Sequence, residues 1–256
     1  MKYLVKKLAL CLALFIPSAF SSASLPTDTY EDLQNLKSNV RAAYVNALIV
    51  DKDSRAHAKR VAFINKIDAT LDKIENLTEL GQKHRKELSR SLSIYLRSAK
   101  NEANTYDINL GSRTFSNGYS AYSELIEHIY APIQTIEASE NIPKKSIQIY
   151  ALLDHIAEAV EIHGERIIKT KRVAKLTQTN LDAMCATIES GLEDIAKYPD
   201  SKSVINKASL KWGFIKAPIC NLDQTSAPYT ITHYGFLLTD ILRKYATDQL
   251  GNLVTS

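Results

Sequence analysis

Apolar residues in the first half of the chain recur every three or four positions, the spacing of residues on one face of an α-helix. We predict a first helix with the stripe Leu33, Leu36, Val40, Ala43, Tyr44 and Ala47. A second helix carries Ile64, Ile67, Leu71 and Ile74, a third covers about residues 78–104 and a fourth about residues 122–136. Residues 107–118, rich in Asn, Gly and Ser, are predicted to form a loop. No stretch alternates as a strand does, so the pattern predicts an all-α protein.

The same order of helices begins again after Asn141-Ile142-Pro143. One stripe consists of Ile149, Leu152, Leu153, Ile156 and Val160, and the next of Leu181, Met184, Cys185, Ile188, Leu192 and Ile195. Two last helices are predicted over residues 200–217 and 227–250. Each set of about 110 residues is long enough for a four-helix bundle with its own core. We therefore predict two tandem antiparallel four-helix-bundle-like modules, over residues 27–140 and 145–250.

Short sequence matches between the two modules indicate an internal repeat. The tetrapeptide Lys-Arg-Val-Ala occurs at residues 59–62 and again at 171–174, a separation of 112 residues. At the same separation Tyr122 corresponds to Tyr234, and at 114 residues Asp68-Ala69 and Ile74-Glu75 correspond to Asp182-Ala183 and Ile188-Glu189. One tetrapeptide match is expected by chance, but the matches in similar register favour a duplication.

The first 23 residues have the composition of a secretory signal peptide. Lys2, Lys6 and Lys7 precede an apolar run over residues 8–16, and small residues follow at 21–23. A lipoprotein anchor at Cys11 is disfavoured, because this cysteine lies inside the apolar run and follows the large Leu10. No later stretch reaches the roughly 18 apolar residues of a membrane helix. We expect an exported protein, periplasmic or secreted, with no integral membrane segment after cleavage.

The charge of the expected mature chain is close to neutral. Without the three leader lysines, 29 of the 32 Lys and Arg residues remain, against 28 Asp and Glu residues. This balance argues against nucleic acid or an anionic membrane as a partner.

Two cysteines, Cys185 and Cys220, remain after the expected cleavage, and in an oxidising compartment such a pair predicts a disulfide. In a straight helical hairpin the two would be out of level by roughly 9 Å. We expect Pro218 to end the second helix and let the chain fold back. Two free thiols are the alternative.

Residues 164–175, Gly-Glu-Arg-Ile-Ile-Lys-Thr-Lys-Arg-Val-Ala-Lys, resemble a family signature. The family is the type IV pilus chemotaxis-transducer N-terminal domain, or PilJ-type domain, related to NarX-like nitrate sensors, whose pattern reads approximately G-R-Q-R-M-L-S-Q-R-I-A-K. Gly164, Arg172, Val173 and Ala174-Lys175 match this pattern. The resemblance extends over about residues 145–247, where Leu210-Lys211-Trp212 is similar to the Trp-bearing third helix of the family.

The resemblance implies a helical sensor domain that dimerises and responds to a ligand, and that the family usually tethers to membrane helices and a cytoplasmic signalling module. In the nitrate-sensing branch an Arg three residues after the Gly faces the anion, but this chain has Ile167 there and its nearest guanidinium is that of Arg166. The first module has Lys52 in place of the Gly. Nitrate recognition is therefore not carried over. We expect a detached sensor domain that works through a partner or does not signal at all.

The candidate ligand-binding residues are Arg166, Lys171 and Arg172, which could hold a small anion through charge-assisted hydrogen bonds. The alternatives are a solvated basic face, since Arg172 would point away from a core lined by Leu181 and Ile188, and a contact between subunits.

The chain carries no motif of a hydrolase, a phosphate-binding loop or a dinucleotide-binding domain, so no enzyme activity and no cofactor are expected. His155 and Glu158 lie at helical spacing, but no specific metal-ligand pattern is present, so no metal site is predicted. Trp212, Phe214 and Tyr229 could line a pocket, although aromatic residues at helix ends usually belong to a core.

Two functional hypotheses follow. The first is an exported, periplasmic, non-enzymatic sensor-like protein that binds a small ligand, such as an anion, or a membrane signalling partner. The second is a structural or assembly accessory protein of an envelope system such as a type IV pilus.

Overall fold

The computed structural model describes residues 26–50, 54–104, 115–139, 142–224 and 227–251. The expected leader with Cys11, Lys52, Asn141 and most of the loop predicted at 107–118 lie outside these ranges. Within them the chain forms nine α-helices, one 3-10 helix and no strand, which confirms the all-α prediction. The α-helices are α1 Pro26–Ile49, α2 Arg55–Asp68, α3 Leu71–Glu75, α4 Gln82–Asn104, α5 Phe115–Ala138, α6 Lys144–Ile168, α7 Gln178–Ala196, α8 Lys202–Cys220 and α9 Pro228–Gly251. The 3-10 helix covers Lys171–Lys175.

In each half of the chain, successive long helices pack against each other, and the first long helix also packs against the last. In the first half, α1 contacts α2 and α5, and α4 contacts the same two helices. In the second half, α6 contacts α7 and α9, and α8 contacts the same two. Helix α1 also packs against α6 and α9, so residues of both halves belong to one continuous core.

Helix α1 is buried on more than one side because it contacts both halves. Its apolar stripe, with Leu33, Leu36 and Val40, is buried as the periodicity predicts. Lys37 and Arg41, which directly follow Leu36 and Val40 in the sequence, are buried as well. A helix on the surface of a bundle would turn such charged residues to solvent. The central position of α1 therefore brings charge into the interior.

The two copies of Lys-Arg-Val-Ala adopt different local structures. The first lies inside α2, where the buried Arg60 donates from Nη2 to Oε2 of Glu102 at 2.7 Å. The second forms the 3-10 helix, between the left-handed Lys169 (φ 56°) and a capping box of Thr177 and Asn180 that begins α7.

The buried positions of α5 and α9 correspond at a separation of 113 residues, not at the 112 of the sequence match. Leu125 and Leu238 are both buried, whereas Tyr122 is buried and Tyr234 is half-buried. The loop predicted over residues 107–118 ends earlier than expected, since α5 already begins at Phe115.

The predicted disulfide is present between Cys185 of α7 and Cys220, the last residue of α8, with the Cα atoms 6.1 Å apart. Pro218 does not end α8, which continues through Cys220. Pro218 lacks the N–H that would donate to the carbonyl one turn earlier, so the last turn of α8 lacks one backbone hydrogen bond.

Candidate functional site

Arg166 binds the carboxyl end of α8. Its two terminal nitrogens donate to backbone carbonyl oxygens, at 3.1 Å to Ile219, 2.6 Å to Asn221, 2.7 Å to Leu222 and 3.0 Å to Gln224. The last carbonyls of a helix have no partner within the helix, and a cation near them also interacts favourably with the helix dipole. Both terminal nitrogens of this predicted anion ligand are therefore used within the chain.

Arg172 projects from the 3-10 helix onto α6 and contacts three glutamates. Its Nη1 atom donates to Glu161 and, at 3.1 Å, to Oε1 of Glu165, and its Nη2 atom donates to Oε1 of Glu158 at 3.4 Å. The prediction that Arg172 points outward requires residues 171–175 to continue the helical register of α7. The extended backbone at Leu176 separates the two elements, so that register does not apply.

The carboxylates beneath Arg172 connect it to the first half of the chain. Glu165 accepts a hydrogen bond from the hydroxyl of Tyr44 at 3.0 Å, and Glu161 accepts one from the hydroxyl of Tyr122 at 2.6 Å. The rings of these two tyrosines stack with their centroids 3.9 Å apart. Residues of α1 and α5 are thus linked to the 3-10 helix of the second half through α6.

Two further buried cations lie along α1. Lys37 donates from Nζ to Oδ2 of Asp154 at 2.6 Å. Arg41 donates to the hydroxyl of Tyr130 at 3.1 Å and to the backbone oxygen of Asp154 at 3.3 Å, and its Nη1 atom lies 4.0 Å from Oε2 of Glu161. Buried charges are tolerated when they are paired and hydrogen-bonded, as here. We call this set the junction cluster; it consists of Lys37, Arg41, Tyr44, Tyr122, Tyr130, Asp154, Glu158, Glu161, Glu165 and Arg172.

Burial shifts the pKa values of Glu165 and Lys37 in the junction cluster. It raises the pKa of Glu165, although the charge of Arg172 acts in the opposite direction. It also lowers the pKa of Lys37, against the attraction of Asp154. At the exposed end of the cluster, the guanidinium of Arg172 already lies among three carboxyl groups. Their negative charge disfavours the binding of a further anion. Arg172 is placed to hold α6 and the 3-10 helix together.

The three predicted ligand residues do not share one set of partners. Arg166 binds carbonyls of α8 and its following loop, Arg172 binds carboxylates of α6, and Lys171 is exposed on the 3-10 helix. The arginines can be recognised in the sequence, but their acceptors cannot, because they lie on other elements of the fold.

The outer side of α8 exposes two large apolar side chains one helical turn apart, Leu210 at 60% and Phe214 at 57% of their surface. The ring of Phe214 stacks on Tyr234 of α9 with centroids 5.3 Å apart, and Nζ of Lys211 lies 5.1 Å from the Tyr234 ring centre. We call Lys207, Leu210, Lys211, Phe214 and Tyr234 the α8 outer face. Its signal in the sequence is an apolar pair four residues apart, off the buried stripe of Ile205, Ala208, Trp212 and Ile215.

The aromatic residues proposed to share a pocket are separated. Trp212 belongs to the core, and its indole nitrogen donates to Oε1 of Glu189 at 3.5 Å. Phe214 is on the α8 outer face, and Tyr229 lines a small cavity beside α1 and α2.

Across the described ranges, no group of three or more His, Cys, Asp and Glu side chains is arranged to hold a metal ion. In the same part of the chain, no helix combines the length and apolar character needed to cross a membrane.

Comparison of the chain with protein-family models, curated proteins and solved structures gave no match. The resemblance to the PilJ-type domain rests on the residues quoted above.

Proposed function

We propose that this chain is an exported, non-enzymatic, sensor-like helical protein that acts by binding another envelope protein through the α8 outer face. The observation that supports this proposal is the exposure of Leu210 and Phe214 as neighbours on one helix. Burying a large apolar side chain gains about 1.5–3 kcal/mol, so a partner that covers both would gain a useful part of its binding free energy there.

The chemistry of the face selects the kind of partner. Residues four apart on a helix form a ridge, which fits the groove or the apolar face of another helix. Lys207 and Lys211 flank the apolar pair on the same side of α8. A helix that carries apolar residues and Asp or Glu at its edges would complement both features. We therefore assign the partner as an acidic amphipathic helix of a membrane signalling protein.

The junction cluster supports a structural role for Arg172. The charged groups of the cluster are paired with one another across α1, α6 and the 3-10 helix, and Arg172 is held by carboxylates. A small anion at Arg172 would have to compete with three glutamates. The anion alternative is thus less well supported than partner binding.

The second hypothesis, an assembly accessory protein of an envelope system, uses the same α8 outer face. It differs in the expected complex, which would be stable and stoichiometric instead of transient. Obligate complexes bury larger and more apolar interfaces than transient signalling complexes.

The test places a photo-crosslinking residue at position 214 of the full chain and irradiates intact cells. The control carries the same residue at position 97, which is also exposed but lies on α4. We expect one crosslinked envelope protein from position 214, absent at position 97 and lost when Lys207 and Lys211 are both changed to Glu. The same products from both positions would contradict the proposal, and a crosslink between two copies of the chain would replace it by homodimerisation.

A further inference from the structure

A small cavity lies where the two halves of the chain meet. It has a volume of about 120 Å³ and is lined from the first half by Asn46 of α1 and by Lys59 and Phe63 of α2. The second half contributes residues of α9, among them Thr232, Phe236 and Asp240. The aromatic rings of Phe63 and Phe236 lie with their centroids 5.9 Å apart. The cavity is thus formed by three helices and exists only while both halves are packed together.

Two polar side chains reach this cavity although they are almost completely buried. Asn46 is 2% exposed and Thr232 is 3% exposed. The amide nitrogen of Asn46 donates to the backbone oxygen of Ala42 at 2.8 Å. Among the described residues, no donor reaches Oδ1 of Asn46, and the hydroxyl of Thr232 has no partner. Both groups line the cavity and can hydrogen-bond to a molecule bound in it.

The rim of the cavity carries charges of both signs. Lys59 is exposed on α2, and Asp240 is exposed on α9, where it also accepts a hydrogen bond from Arg243. A carboxylate has two oxygens and about four acceptor positions, so this bond leaves Asp240 able to receive another donor. A ligand with one anionic and one cationic group could therefore meet both residues at the rim.

The size of the cavity limits the ligand to a few heavy atoms. At about 120 Å³, the cavity is smaller than the roughly 300–1,000 Å³ typical of sites for drug-sized ligands. Its walls combine aromatic rings with an amide and a hydroxyl, as is usual in sites for small organic molecules.

We propose that this cavity binds a small zwitterion, an α-amino acid with a short side chain. Its carboxylate pairs with Lys59, its ammonium group with Asp240, and its side chain lies against the contacting rings of Phe63 and Phe236. The inference concerns a different surface from the α8 outer face, so either can fail without the other.

The test is a titration of the full mature chain with glycine, L-alanine, L-serine and L-valine, followed by thermal unfolding and by NMR. Propionate and ethylamine, which each carry only one of the two charges, are titrated in parallel. We expect a saturable response to at least one amino acid at millimolar concentration, with the single-charge compounds binding at least ten times more weakly. No saturable response to any amino acid, or an equal response to propionate, would overturn the proposal.

Variants locate the site. Lys59→Gln changes only the exposed rim, and Thr232→Val removes the buried hydroxyl while keeping the shape of the side chain. Thr187→Val is the matched control, because Thr187 is exposed on α7, away from the cavity. We expect affinity to fall about tenfold in Lys59→Gln and in Thr232→Val and to be unchanged in Thr187→Val. If Lys59→Gln, whose fold is verified by circular dichroism, binds as the wild type does, the assignment is wrong.

Discussion

The guanidinium of Arg172 lies 3.1 Å from a carboxylate oxygen of Glu165, although Glu165 is fully buried and the side chain of Arg172 is 34% exposed. A residue at the surface thus neutralises a charge inside the protein. The short 3-10 helix makes this contact, because it turns Arg172 back onto α6 before α7 begins.

Replacing Arg172 by Gln should destabilise the fold by about 1–3 kcal/mol, because Glu161 and Glu165 would keep buried charges without their closest cation. The measurement is urea unfolding at neutral pH. The control is Arg97→Gln, at an exposed position of α4. Equal stability of the two variants would contradict the role assigned to Arg172.

Stability should fall as the pH drops from 6.5 towards 4 because of His163. Burial, assisted by the charge of Arg166, lowers the pKa of this histidine to about 4 from the ordinary 6.5. Between these values the unfolded chain binds a proton that the folded chain does not, so acid favours unfolding. The contribution is present above pH 6.5 and amounts to at most about 3 kcal/mol.

The variant His163→Gln tests this prediction, since it should flatten the dependence of the unfolding free energy on pH over the same interval. His155→Gln is the control, because His155 is an exposed histidine of the same helix. A flattening of similar size in both variants would mean that His163 is not the source.

Two glycine-to-alanine changes should have opposite effects. A Cβ atom on Gly235 of α9 would clash with Cγ2 of Val160 on α6, and valine has little rotational freedom with which to move away. We expect Gly235→Ala to cost about 1–3 kcal/mol. Gly213 of α8 has open space around its Cβ position, so Gly213→Ala should stabilise the helix by up to about 1 kcal/mol. Thermal unfolding of the two variants would rank them, and a destabilised Gly213→Ala would contradict the packing described here.

Loss of the disulfide should cost about 3–4 kcal/mol, since Cys185 and Cys220 are separated by 35 residues and the bond restricts the unfolded chain accordingly. Unfolding of the double variant Cys185→Ala/Cys220→Ala, compared with wild type in the presence and absence of a reductant, measures this contribution. The reductant should weaken the wild type and leave the variant unchanged. A reductant effect on the variant would indicate another origin.

The helices could be predicted from the sequence because each apolar stripe is a local pattern. In α4, which lies within the helix predicted over about residues 78–104, Leu88, Leu92, Tyr95 and Leu96 are all buried on one face. The disulfide could be predicted from the number of cysteines and the expected compartment. Both inferences need only residues close together in the chain or a simple count.

The junction cluster could not be predicted, because its pairs are distant in sequence. Lys37 and Asp154 are 117 residues apart, and Tyr44 and Glu165 are 121 residues apart. Nothing near Lys37 distinguishes it from a lysine on a solvated face. Its burial follows from the position of α1 between the two halves, which depends on the packing of the whole chain.

The position of α1 also decides whether either half could exist alone. If the chain were cut near residue 140, the second half would keep Asp154, Glu161 and Glu165 but lose Lys37 and Arg41. The first half would keep those two cations and lose the carboxylates opposite them. Each half alone would therefore contain charged side chains without their ion-pair partners. Substitutions in one half are therefore constrained by the charges of the other, and the two are expected to unfold in a single transition.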